Sequence, residues 1–115
     1  MTNEGTKKWM NRLQDVLAEN RFNETLDNQL LAQSLGISKR DLFRKIKTLT
    51  GMTPQKYIRK YRLQQAMQML ESGQCKTVNE VCHKIGYKNA DYFSKQFKKE
   101  FDIKPFTVLK NEGWR

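Results

Sequence analysis

The 115-residue sequence predicts an all-α fold of about seven helices, built as two helix-turn-helix subdomains joined by one long central helix. Three observations predict it. Residues 53–71, TPQKYIRKYRLQQAMQMLE, contain no Gly and only the opening Pro54, and Gly73 stands just beyond their end, where helices commonly stop. Apolar residues on both sides of this run recur at steps of three and four, the period of a helix buried on one face. The two halves of the chain also repeat. Leu31-Ala32, Leu35 and Gly36 match Val81-Cys82, Ile85 and Gly86 at an offset of 50, while Ser38, Leu42, Ile46 and Pro54 match Asn89, Phe93, Phe97 and Pro105 at an offset of 51. The second turn is therefore one residue longer. A period that occurs only twice argues for duplicated helix-turn-helix units and not for a solenoid.

In chain order, residues 1–7 are expected to be a flexible extension, residues 8–52 the first subdomain, 53–72 the connecting helix, 73–110 the second subdomain and 111–115 a fraying tail. Trp9, Leu13, Val16 and Leu17 form one stripe of a first helix over about residues 6–20, with Trp9 read as a core anchor. Asp27 caps a short second helix that ends at Gly36, and Leu26 can staple onto Leu31. Ser38-Lys-Arg-Asp41 has a form related to the capping box and opens a third helix, with Leu42, Ile46 and Leu49 directed inward and Phe43 at the boundary, partly buried. Thr53 and Pro54 start the long helix as N-cap and first helical residue. At about 1.5 Å per residue its nineteen residues span roughly 28 Å. The turn-to-turn repeat of duplex DNA is about 34–36 Å, so this helix reads as a spacer between two recognition units. Thr77-Val-Asn-Glu80 is a better capping box for a fifth helix ending at Gly86. Asn89 caps a sixth, whose Phe93, Phe97 and Phe101 make a core stripe, and Pro105 opens a short last helix carrying Phe106, Val108 and Leu109.

Charge narrows the function. The chain carries 22 Lys and Arg against 12 Asp and Glu, a net charge of +10. Residues 37–64 hold nine basic groups against Asp41 alone, and residues 87–110 hold six against three, while the segments between are nearly balanced. Two basic blocks of this kind suit surfaces that face a polyanion. With 37% hydrophobic residues and twelve aromatic ones, a packed core is within reach. No apolar run nears the roughly 20 residues of a membrane span, and the first residues lack the apolar core of a signal peptide. Two cysteines without such a signal point to a reducing cytoplasm and free thiols, with Cys82 a small buried residue and Cys75 in an oxidisable loop. Enzyme and metal chemistry find little support: there is one histidine, His83, no phosphate-cradling glycine loop, and too few cysteines for a zinc site. No cofactor is expected.

The motifs together resemble the DNA-binding domain of the AraC/XylS family of bacterial transcription regulators, over about residues 8–110. The most specific part is Ile85-Gly86-Tyr87, the run from Tyr92-Phe93-Ser94 to Phe101, and Pro105; Leu35-Gly36, Leu42-Phe43-Arg44-Lys45-Ile46 and Gly51-Met52-Thr53-Pro54 add the first unit. The stretch LFRKIKTLTGMTPQKYIRKYRL is similar to the output domains of hybrid two-component regulators. The chain departs from the family at Asp102, where Gly is usual, and at Phe106 and Val108-Leu109 in the last helix.

The resemblance implies sequence-specific double-stranded DNA as partner, with two recognition helices in successive major grooves, and RNA polymerase as a further candidate partner. A sensing or receiver region would lie N-terminal to this domain, making the chain a C-terminal fragment of a larger protein. In the first recognition helix Arg40 and Arg44 are expected at base edges, Lys39 and Lys47 at phosphates, and Phe43 within the interface. In the second, Ala90, Asp91, Ser94 and Lys95 occupy the matching arc, with Lys98 and the backbone at Asn89 anchoring phosphates. Asp91 either accepts from a cytosine amino group or orients a neighbouring lysine. The competing reading is a basic helical protein-interaction module, or one that binds nucleic acid without sequence preference.

Overall fold

In the computed structural model, residues 4–23 and 25–113 are described, with side chains to residue 110. Seven helices account for them: α1 Glu4–Glu19, α2 Asn28–Leu35, α3 Lys39–Thr50, α4 Pro54–Ser72, α5 Val78–Lys84, α6 Ala90–Phe101 and α7 Pro105–Gly113. Among the described residues there is no strand. The all-α fold class holds, and helix ends fall where the caps and breakers place them.

Those ends show the duplication in hydrogen bonds. Asp27 Oδ1 accepts from the Leu30 N–H at 2.9 Å, and fifty residues on Thr77 Oγ1 accepts from the Glu80 N–H at 3.1 Å. The turns that follow α2 and α5 use the same pair of bonds: Gly36 and Gly86 donate to Gln33 and His83, and Ile37 and Tyr87 donate to Ala32 and Cys82. Ser38 Oγ accepts from the Asp41 N–H at 3.1 Å, and Asn89 Oδ1 from the Tyr92 N–H at 2.9 Å. At the far ends Gly51 donates to Lys47 O at 2.9 Å and Asp102 to Lys98 O at 2.8 Å. Orphan N–H and C=O groups at helix termini are thus satisfied by one scheme used twice. Asp41 does not close a capping box: its carboxylate turns to Arg44 instead. Glu80 reaches back to the Lys76 N–H, one residue before the cap, at 3.4 Å.

The chain divides into two compact units. The first gathers α1, α2, α3 and the start of α4 up to Ile58; the second begins at Arg59 and takes in Phe22 and Asn23 from the α1–α2 loop. The boundary between these units falls inside the central helix, between Ile58 and Arg59. In the first unit Leu13, Leu17, Leu31, Leu42 and Ile46 have no solvent exposure. Arg12 donates to Ser34 O at 3.2 Å, and Gln14 Nε2 donates to the Tyr57 hydroxyl at 2.7 Å, tying α1 to α2 and α4. In the second unit the Phe93, Phe97 and Phe101 rings follow one another with centroids 5.8 and 4.7 Å apart, packed with Leu63, Ala66 and Leu70 of α4. Arg62 donates to Asn23 O at 3.2 Å, tying α4 to the α1–α2 loop.

Several expectations need correction. The N-terminal extension is helical from Glu4; residues 1–3 lie outside the described residues. Likewise α7 continues to Gly113, past the expected fraying point at Asn111, with 114–115 outside the description. Trp9 is only half-buried and leaves the core to Leu13, Val16 and Leu17, since it sits a turn beyond them near the start of α1. Leu49 is 41% exposed because α3 ends there, and only Leu42 and Ile46 are covered by the packing helices. Cys75 lies in the α4–α5 loop as expected but is buried at 1% exposure, packed in the second core and not open to oxidants. Cys82 is buried as expected; its thiol donates to Tyr87 O at 3.3 Å, and burial pushes its pKa up. In α4, Pro54 and Ile58 are buried with the first unit and Leu63, Ala66 and Leu70 with the second, and the five-residue step from 58 to 63 breaks the helical spacing.

Two outcomes test this account of the helix ends. Gly51 and Asp102 are paired by the repeat and both left-handed, at φ 76° and 57°. Asp102→Gly is expected to raise unfolding free energy in urea by about 0.5–1 kcal/mol, because glycine enters that region without the steric cost a Cβ brings. The lost Lys98–Asp102 pair is exposed and weak. Asn89→Ala, by removing the α6 cap, is expected to cost about 1 kcal/mol in the same measurement.

Candidate nucleic-acid interface

Burial of Leu42 and Ile46 fixes which side of α3 meets water. At about 100° per residue, Arg40, Arg44 and Lys47 fall on the opposite side and Phe43 at its flank, while Lys39, as the first residue of α3, is exposed although it lies on the side of Leu42 and Ile46. All five are exposed. Arg44 donates through Nη2 to Asp41 Oδ1 at 2.9 Å while its side chain stays 74% exposed. Such a surface pair is worth about 0–1 kcal/mol, so it holds the guanidinium near one direction without locking it, and most of its five N–H donors remain available. Lys47 Nζ lies 3.1 Å from Gly51 O, at the negative end of the helix. Lys45, the remaining cation of α3, stands 5.2 Å above the Trp9 ring, so it braces α3 against α1.

The second unit presents α6 in the same manner but with different chemistry. Phe93 and Phe97 are fully buried, and Asp91, Lys95 and Lys98 are exposed. Lys98 Nζ lies 3.4 Å from Asp102 O and 3.5 Å from its carboxylate, repeating the reach of Lys47 to Gly51. Asn89 has its side-chain oxygen committed to the cap, so what it contributes to a ligand is the start of α6 and not its own carbonyl. Ala90 is partly buried against the second core and Ser94 is half-buried, so the outward arc of α6 is narrower than that of α3.

Two aromatic residues stand out. Phe43, expected at the boundary and partly buried, is 49% exposed, and Tyr92, absent from the expected readers, is 46% exposed. Each neighbours a fully buried residue, Leu42 or Phe93, and one step along a helix turns a side chain by about 100°. That step was the sequence signal that places them off the core stripe. The Tyr92 ring stands against Tyr87, with centroids 6.1 Å apart. Burial pushes the Tyr87 hydroxyl pKa up, opposed by Arg59 and Arg62 nearby. Burial does the same at Tyr57, opposed by its bond from Gln14. Both phenols therefore stay protonated at neutral pH. Among the described residues no helix is long and apolar enough to cross a membrane.

Residues 31–111 match the family described as "Helix-turn-helix domain". Among relatives, a protein named histidine kinase P4 from Formosa agariphila is 37% identical over 90 residues, 78% of this chain and 6% of that protein. The transcriptional activator RhaS of Mannheimia succiniciproducens is 38% identical over 87 residues, 76% of this chain and 32% of that protein. The chain thus spans less than a third of the length of either. Of solved structures, a transcriptional regulator with an AraC-type DNA-binding domain from Chromobacterium violaceum superimposes with a TM-score of 0.81 at 27% identity, covering 96% of each chain. With the family matched across α3 to α6 and the seven-helix fold shared, the chain belongs to the AraC-type helix-turn-helix family.

Proposed function

We propose that this domain binds double-stranded DNA sequence-specifically for transcription regulation, placing α3 and α6 in successive major grooves. The observation that carries the reading is the exposed basic arc of α3, with Arg40, Arg44 and Lys47 opposite a fully buried apolar face, on a framework that recurs around α6. Arginine can bond guanine O6 and N7 together, so Arg40 and Arg44 read base edges. The loosely held Asp41–Arg44 pair aims one of these forks before DNA arrives. Lys39, Lys47 and Lys98 contact phosphates, while Asp91, Ser94 and Lys95 read the second groove. Ala90 and Asn89 position the start of α6 against the backbone. On this reading the chain has no catalytic role and works in the cytoplasm, where DNA and RNA polymerase, a second proposed partner, are found. A receiver or sensing region elsewhere in a longer protein would supply the input, which the histidine kinase relative supports.

With about six phosphates neutralised, log affinity falls with log salt at a slope near −5. A flat salt response would overturn the electrostatic reading. Arg44→Ala is expected to cost roughly 1–3 kcal/mol at one or two base pairs and relax preference there; equal weakening on every sequence would make Arg44 a phosphate contact. Selection of bound duplexes from a random pool separates this reading from a non-specific module, which would show no preferred duplex.

The central helix is tested away from either core. Ala66 is fully buried, whereas Lys60 is exposed on α4. Proline at 60 removes one helical N–H and clashes with the carbonyl of Lys56. Lys60→Pro is expected to leave weak binding to single half-sites and to lower affinity for the two-groove site at least tenfold by avidity arithmetic. Undiminished affinity would mean that continuity of α4 is not needed.

A further inference from the structure

We infer that Phe43 is a specificity-determining residue that reads the 5-methyl group of a thymine in the groove entered by α3. The inference rests on the proposed DNA-binding function and assigns this one side chain a chemical target. Scattered exposed apolar side chains are ordinary on protein surfaces and by themselves mean little. The position of Phe43 is what gives it meaning. Its ring is 49% exposed. Residues three and four away on a helix are its surface neighbours. For Phe43 these are Lys39, Arg40 and Lys47, all exposed, and Ile46, fully buried. The ring therefore emerges from the core edge into a patch of three cations. A polyanion drawn to those cations covers the ring.

On DNA the only apolar group that a base pair offers in the major groove is the thymine methyl. A phenyl ring can cover it, while lysine and arginine heads go to the acceptors and phosphates around it. Arg44 directly follows Phe43, so the guanidinium and the ring reach adjoining positions of one site: a hydrogen-bonded base and a methyl beside it. The matching residue of α6, by the offset of 51, is the half-buried Ser94, so the two recognition helices differ in this property. At this position of the repeat, methyl reading belongs to the first unit alone.

The test uses the full chain and a duplex isolated by selection. Each thymine is replaced in turn by deoxyuridine, which keeps every hydrogen-bonding group and deletes the methyl. Burying one methyl corresponds to about a three- to fivefold change in affinity. Wild-type protein should lose that factor at one or two thymines in one half of the site. Phe43→Ala should bind the thymine and uracil duplexes equally, and Phe43→Leu should keep part of the discrimination. Arg44→Ala should leave the thymine-to-uracil ratio intact while losing affinity. A wild-type protein indifferent to every uracil, or a Phe43→Ala protein with the wild-type ratio, overturns the inference while DNA reading stands. If selection returns no preferred duplex, the DNA-binding proposal fails and this inference with it.

Discussion

Every feature of the two units depends on satisfying backbone hydrogen bonds at one tight turn, the turn between α2 and α3 and its copy between α5 and α6. A turn this short strands N–H and C=O groups at the end of one helix and the start of the next, and each must find a partner. Here a glycine and the residue after it donate back into the finished helix, and a Ser or Asn side chain receives a free N–H in the first turn of the new one. These bonds set where the second helix begins and hence its rotation. Rotation then decides the rest. It puts Leu42 and Ile46, or Phe93 and Phe97, into the core, and turns the intervening residues to water.

The same framework carries two different surfaces. Around α3 the exposed residues include five cations and a phenylalanine, relieved by Asp41. Around α6, Asp91 and Asp102 stand among the lysines, and Ala90 and Ser94 are drawn toward the core. Duplication thus conserved the hydrogen-bonded turn and released the exposed positions, where substitutions cost little stability. Two units with unlike surfaces suit a target whose two halves are unlike.

How much was legible follows from which forces act locally. Caps and breakers work through groups within four residues of one another, so Asp27, Ser38, Thr77 and Asn89 could be named from the sequence and found in place. Asp102 belongs with them: its left-handed backbone was readable because its partner in the repeat is Gly51. The exposed arc of α3 was legible for a related reason, since a helix with two buried residues a turn apart has only one opposite side. What escaped was the behaviour of side chains at the margins of the stripe. Tyr92 sits one step from the buried Phe93, and whether such a side chain is covered depends on the breadth of the neighbouring helix.

The sequence by itself therefore determined the seven helices, their caps, the twofold repeat and the basic character of the presented faces, because propensity, capping and periodicity are short-range. Tertiary structure alone decided coverage. It left Trp9 half-buried with Lys45 above its ring, opened Leu49 to solvent, and closed the second core over Cys75. It also divided α4 between two cores at Ile58 and Arg59. Burial is a property of what packs against a residue, and elements distant in sequence supply that.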